Sequence, residues 1–165
     1  MADIAAYITR QPRLAAPAKA CECHSHIFGP DATYPVAPGD SRNRHTDATV
    51  AQYLSLLDRL GIERGVIVQP VTYGADNRRT VDAIAEIGQH RARGIAVCNP
   101  DVGKAEIARL DAAGIRGIRV ASPAHDTSFD DAAAMAPRLA DAGWHVQMSG
   151  TAAAARPLPV PVIID

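Results

Sequence analysis

The feature that most constrains the fold of this chain is a repeated alternation between short apolar runs and amphipathic stretches. Gly65-Val66-Ile67-Val68-Gln69, Gly94-Ile95-Ala96-Val97-Cys98 and Gly117-Ile118-Arg119-Val120 are apolar on successive residues, the pattern of strands buried on both faces. Between them the apolar positions recur at three and four residues, as on one face of a helix. Val50, Tyr53, Leu54, Leu57 and Leu60 make such a stripe, with Thr46 or Asp47 expected to cap it and Gly61 to end it. Asn77 is expected to cap a second helix carrying Val81, Ile84 and Ala85, and further helices are expected over 104–113 and 130–142. Residues 21–27, 144–148 and 160–164 complete a set of six expected strands. Alternating strand and helix units imply a parallel sheet covered by helices, either an open doubly wound sheet or a (β/α)8 barrel. Periodicity leaves both architectures open.

Spacing adds a second constraint. From Val66 to Ile95, Ile118 and Val146 the steps are 29, 23 and 28 residues, but Val146 to Val162 is only 16. A crossover with its own helix takes about 30 residues, so GTAAAARPLP is too short and too proline-rich to hold one. Residues 1–19 read as a flexible N-terminal arm and 20–165 as one domain. The charge balance, 17 basic against 18 acidic residues, gives no reason to expect nucleic acid or an anionic membrane as partner. No apolar run approaches a membrane span, and the first twenty residues lack a secretory h-region. A cytoplasmic protein with reduced thiols is the expectation.

The chemistry concentrates in Cys21-Glu22-Cys23-His24-Ser25-His26. On a regular strand Glu22, His24 and His26 point one way and Cys21, Cys23 and Ser25 the other. That parity sets the thiols apart from the imidazoles and argues against a mixed Cys/His zinc site. It leaves two imidazoles side by side at a strand's C-terminal end, where parallel α/β folds place their active sites. Such a pair can chelate one metal ion or hydrogen-bond one substrate oxygen. Cys21, Cys23 and Cys98 are expected to be small buried groups facing the helices. Arg119 lies within a strand, where a guanidinium needs an anion. A substrate carboxylate or a core acid such as Glu22 would serve. Arg116, in the turn before that strand, reads as structural. Tyr73, at the exit of the second strand, is a candidate substrate contact.

CECHSHIFGP, LGIERGVIVQP with YGADN after it, GIRGIRV, WHVQM and LPVPVIID together resemble the amidohydrolase-related (amidohydrolase 2) family, nearest its 2-pyrone-4,6-dicarboxylate lactonase-like branch. The resemblance runs in order from about Lys19 to the last residue. It implies a (β/α)8 barrel, a TIM barrel of the metal-dependent hydrolase superfamily, truncated here to about six βα units. It also implies a hydrolase that opens a lactone, a cyclic carboxylic ester, of an acidic substrate. Most of the family hold zinc or another divalent metal through the two histidines. The lactonase branch works without a metal, the histidines polarising the carbonyl. Carried over, His24 and His26 are catalytic, Arg119 binds a substrate carboxylate, and Tyr73, His45 and His125 line the substrate. His45 stands where the branch has tyrosine, and His125 is nearest to its second arginine. Val71 and Ser149 replace a serine and a histidine. The family's water-activating aspartate belongs to an eighth strand, which this sequence does not reach. Two other readings stay open: a zinc-dependent amidohydrolase or decarboxylase of the same superfamily, with His24 and His26 as ligands, and an inactive fragment that self-associates through open sheet edges.

Overall fold

The computed structural model describes residues 12–38, 47–120, 128–148 and 157–164. Six strands, β1 (Cys21–Ser25), β2 (Arg64–Val68), β3 (Ala92–Ala96), β4 (Ile115–Val120), β5 (His145–Met148) and β6 (Val162–Ile164), form one sheet. They pair in the order β1-β2-β3-β4-β5-β6, every pair parallel. Four helices, α1 (Val50–Leu60), α2 (Arg78–Ile87), α3 (Lys104–Ala112) and α4 (Phe129–Asp141), connect successive strands up to β5. A doubly wound sheet reverses its strand order at a switch point. This one never does, so the barrel arrangement holds and the open sheet does not. No helix among the described residues is long and apolar enough to cross a membrane.

One contact shows that the sheet curls. Gln147 of β5 hydrogen-bonds His24 of β1, Nε2 to Nδ1, at 2.9 Å. Strands four places apart in a flat sheet would be roughly 19 Å apart, beyond the reach of two side chains. The six strands therefore wrap around an inner face, as successive strands of a (β/α)8 barrel do. GTAAAARPLP falls largely outside the described residues, as do residues 1–11 of the expected arm.

The helices follow their apolar stripes, but two caps differ from expectation. Thr49, not Thr46 or Asp47, caps α1: its hydroxyl accepts the Gln52 amide while the Gln52 side chain accepts the Thr49 amide. This reciprocal pair satisfies two amides that a residue further upstream would leave open. Ser128 and Asp131 form the same box on α4. Asn77 stands at the start of α2 but does not cap it. Its amide instead clamps β3, donating to the Val97 carbonyl at 2.8 Å and accepting the Val97 amide at 3.0 Å. An amide that can satisfy both backbone groups of one buried residue serves better there than at a helix end with other options. Gly61 ends α1 in the left-handed conformation, φ 67°.

The helix-facing core contains Leu57, Ile67, Ile84, Leu110, Ile118, Met135, Leu139 and Trp144, all fully buried. At its edge Gly65 is required by packing. A Cβ there would lie 1.9 Å from the Tyr53 hydroxyl oxygen. Gly65→Ala therefore displaces Tyr53, and overpacking of this kind costs about 1–3 kcal/mol. Urea denaturation of the variant is expected to show a lowered midpoint with an unchanged slope.

Candidate active site

The site grows out of an irregularity in β1. Glu22 pairs with Gly65 and Ser25 with Ile67, so three steps on β1 match two on β2. An extra residue of this kind is a β-bulge, and it resets which side chains share a face. Gly65 faces Tyr53 of α1, so Ile67, two residues on, faces the helices too. Glu22 and Ser25 therefore turn toward the helix layer. The regular alternation expected for residues 21–26 is broken here: Glu22 does not share a face with the histidines. The Tyr53 hydroxyl donates to Glu22 Oε2 at 2.9 Å, and Glu22 Oε1 accepts the His24 amide at 2.7 Å. Burial first, then the Glu22 charge, push the Tyr53 phenol up, so it stays protonated and keeps donating. With its carboxylate engaged by these two groups, Glu22 is not the acid that Arg119 needs.

The bulge leaves both imidazoles on the inner face, their ring centroids 5.0 Å apart and nearly perpendicular. His26 Nδ1 lies 2.8 Å from the Val68 carbonyl oxygen at the end of β2. A carbonyl only accepts, so the neutral ring carries its proton on Nδ1 and its lone pair on Nε2. His24 Nδ1 meets Gln147, as described above. Arg119 is the register partner of Gln147 and so projects from the same face one strand away. Its Nη1 reaches toward the Gln69 carbonyl at 3.4 Å, near the exit of β2. His24, His26, Gln147 and Arg119 thus converge at the C-terminal ends of β1, β4 and β5.

Neighbouring residues hold this end of the sheet in place. Tyr73 is buried, with its hydroxyl accepting the Gly29 amide at 2.9 Å. It anchors the chain as it leaves β1. Gln69, fully buried, donates to the Gly74 and Asp76 carbonyls and accepts from Thr80. His45 and His125 lie outside the described residues. Arg116 binds the side chain and carbonyl of Asp111, which also accepts the Trp144 indole N–H, a structural cluster at the opposite end. A cavity of about 730 Å³ lined by Lys19, Asp58, Glu63, Arg64, His90 and Arg91 is also at that end, where Arg91 pairs with Asp58 and Arg64 holds the Lys19 carbonyl. It is remote from the imidazoles.

Sequence reasoning passed over Gln147, whose only signal is a polar residue between the apolar Val146 and Met148 of a short strand. The cysteines also differ from expectation. Cys98 is buried, and burial, with Glu106 nearby, pushes its thiol up to about 11. Cys21 and Cys23 are exposed rather than buried: Glu22 and Ser25 are the β1 side chains turned to the helices, and among the described residues β1 is an edge strand paired only with β2. The described residues offer a metal ion two imidazoles but no cluster of three histidine, cysteine or acidic side chains. A structural or catalytic zinc site needs at least three protein ligands, so this donor set does not by itself fit one. A thiol-reactive probe is expected to label two of the three cysteines in the native chain and Cys98 only after denaturation. Labelling of Cys98 at the same rate as the others would contradict this packing.

Comparison with known proteins agrees with this geometry. A family model described as Amidohydrolase matches residues 21–165. The chain is 40% identical over 139 residues to the 2-pyrone-4,6-dicarboxylate hydrolase of Comamonas testosteroni, covering 82% of this chain and 45% of the relative. It is also 40% identical over 120 residues to the 4-sulfomuconolactone hydrolase of Rhizobium radiobacter, covering 71% and 39%. A crystal structure from Acinetobacter baumannii, described as a "probable 2-pyrone-4,6-dicarboxylic acid hydrolase" with citric acid bound, superposes with a TM-score of 0.78 at 22% identity. That match covers 88% of this chain and 57% of the other. An apo crystal structure from Agrobacterium tumefaciens gives 0.76 at 26% identity, covering 84% and 50%. The chain spans less than half the length of these curated relatives.

Proposed function

Because the chain belongs to the amidohydrolase family, we propose that its inner face binds an acidic lactone and takes part in hydrolysing the ring ester. The observation that carries this reading is the convergence of the two imidazoles with Arg119 on one face at the C-terminal end of the sheet. Both curated relatives act, by their names, on compounds of this chemical class. One is a pyrone with two carboxylates, the other a lactone with a sulfonate.

The chemistry follows from what each group can do. A lactone carbonyl carbon is attacked by water, and the carbonyl π pair moves onto its oxygen. An imidazole N–H aimed at that oxygen stabilises the developing negative charge more than the neutral ester, which lowers the barrier. The proton lost by the water passes to a base. When the tetrahedral intermediate collapses, the ring C–O bond breaks and its electron pair leaves with the ring oxygen, which takes up a proton. The products are one carboxylate and one hydroxyl or its keto tautomer. Arg119 supplies the fixed cation that an acidic substituent needs, in a fork that matches a carboxylate. Tyr73, placed behind the β1 exit, holds the backbone against which the substrate would rest; His45 and His125 remain proposed substrate contacts.

Two predictions follow from this assignment. His24→Ala and His26→Ala should each lower kcat/KM for an acidic lactone about 10²-fold or more, the usual effect of losing a transition-state hydrogen bond. Steady-state assays with 2-pyrone-4,6-dicarboxylate and muconolactones measure this. Turnover by the double variant equal to that of the parent would refute the role. Arg119→Met should raise KM for the acidic lactone at least tenfold while leaving a neutral lactone unaffected. An equal loss on both would remove Arg119 from substrate recognition.

A further inference from the structure

Gln147 stands out among the polar residues of the sheet. Gln147 is 5% exposed, in a strand where it stands between buried Val146 and Met148. A buried amide at a position where an apolar residue would pack is unfavourable unless its hydrogen bonds repay it. One bond is made, Nε2 to His24 Nδ1 at 2.9 Å, while Oε1 has no hydrogen-bond partner among the described residues. A buried polar residue retained for a single bond to a site histidine calls for a reason beyond packing.

The donor and acceptor inventory supplies it. An amide Nε2 only donates, so His24 Nδ1 must accept and the ring proton sits on Nε2. His26 is fixed the other way, since its Nδ1 faces the Val68 carbonyl and its Nε2 holds the lone pair. The two rings, 5.0 Å apart, thus carry opposite groups on Nε2, a donor on His24 and an acceptor on His26. We infer that Gln147 is a positioning residue that locks His24 as the hydrogen-bond donor of the pair, leaving His26 as the acceptor. The opposite amide orientation would place Oε1 against Nδ1–H and turn the His24 lone pair inward. Two acceptors would then face the carbonyl oxygen and repel it. Only the observed orientation gives the pair one donor for the oxyanion and one acceptor for the proton of the attacking water.

The kinetic part of this inference rests on the proposed lactone reading; the tautomer itself does not. Two-bond ¹H–¹⁵N correlation spectra of the ¹⁵N-histidine-labelled chain read the protonated nitrogen of each ring. His24→Gln and His26→Gln variants assign the signals. The expected spectrum has His24 protonated on Nε2 and His26 on Nδ1. In Gln147→Glu, a carboxylate that only accepts draws the His24 proton to Nδ1 and the pattern switches, while in Gln147→Leu the His24 preference is lost. His24 protonated on Nδ1 in the parent chain, or unchanged in Gln147→Glu, overturns the inference. If the variants fail to fold, the parent spectrum alone still decides it. With an acidic lactone turned over by the parent chain, Gln147→Glu should lower kcat about 10²-fold with little change in KM. A switched tautomer with unaltered kcat would overturn the division of roles. An expected tautomer pattern without turnover in any variant would keep the positioning role and remove the lactone reading instead.

Discussion

The inner face depends on the one-residue bulge in β1. Without it, alternation would place Glu22 beside His24 and His26, a carboxylate next to two imidazoles. With it, Glu22 turns outward to Tyr53 and only the imidazoles face inward. The separation has an electrostatic consequence. A negative charge on the inner face would oppose an anionic substrate and an oxyanion alike, whereas the outward Glu22 is held by a phenol and a backbone amide. Gly65 makes this possible, because only a residue without a side chain lets the Tyr53 hydroxyl come close enough to β2.

Curvature does the rest. Parallel strands in unbroken order, the first four each followed by a helix, wrap β5 toward β1 until Gln147 meets His24. The strand exits are fixed by buried polar side chains, two amides and a phenol, rather than by apolar packing alone. Asn77 pins the end of β3, Gln69 pins the loop after β2, and Tyr73 pins the chain leaving β1. Loops at this end carry the chemistry in barrel enzymes, and backbone groups held by buried amides give the imidazoles a fixed frame. Each imidazole in turn is oriented through Nδ1 by a neighbour from a different strand, so the pair is set by the sheet and not by the loops.

Much of this was legible in the sequence, and the failures have a common cause. Element order, the helical stripes and Gly61 as a helix end follow from local periodicity and came out as expected. The position of His24 and His26 at a strand end followed from the same pattern. The features that sequence reasoning missed depend on pairing between distant segments. The bulge is a mismatch between β1 and β2, and it separates Glu22 from the histidines, while the place of β1 at the sheet edge leaves Cys21 and Cys23 exposed. The Gln147–His24 bond links positions 123 residues apart. Asn77 had two uses open to it, and the buried Val97 backbone outbid the helix end. The Thr49–Gln52 box was visible as a T-x-x-Q pattern, but its competitors Thr46 and Asp47 lay close by.

The central claim is that the two imidazoles and Arg119 form one recognition site for an acidic lactone at the C-terminal end of the curled sheet. A crystal structure of this chain with a slowly hydrolysed lactone carboxylate bound tests it most directly. The account predicts the carbonyl oxygen within hydrogen-bond distance of His24 Nε2 and the carboxylate on the Arg119 guanidinium. A ligand seated elsewhere, or turned so that its carbonyl faces away from both imidazoles, would contradict it.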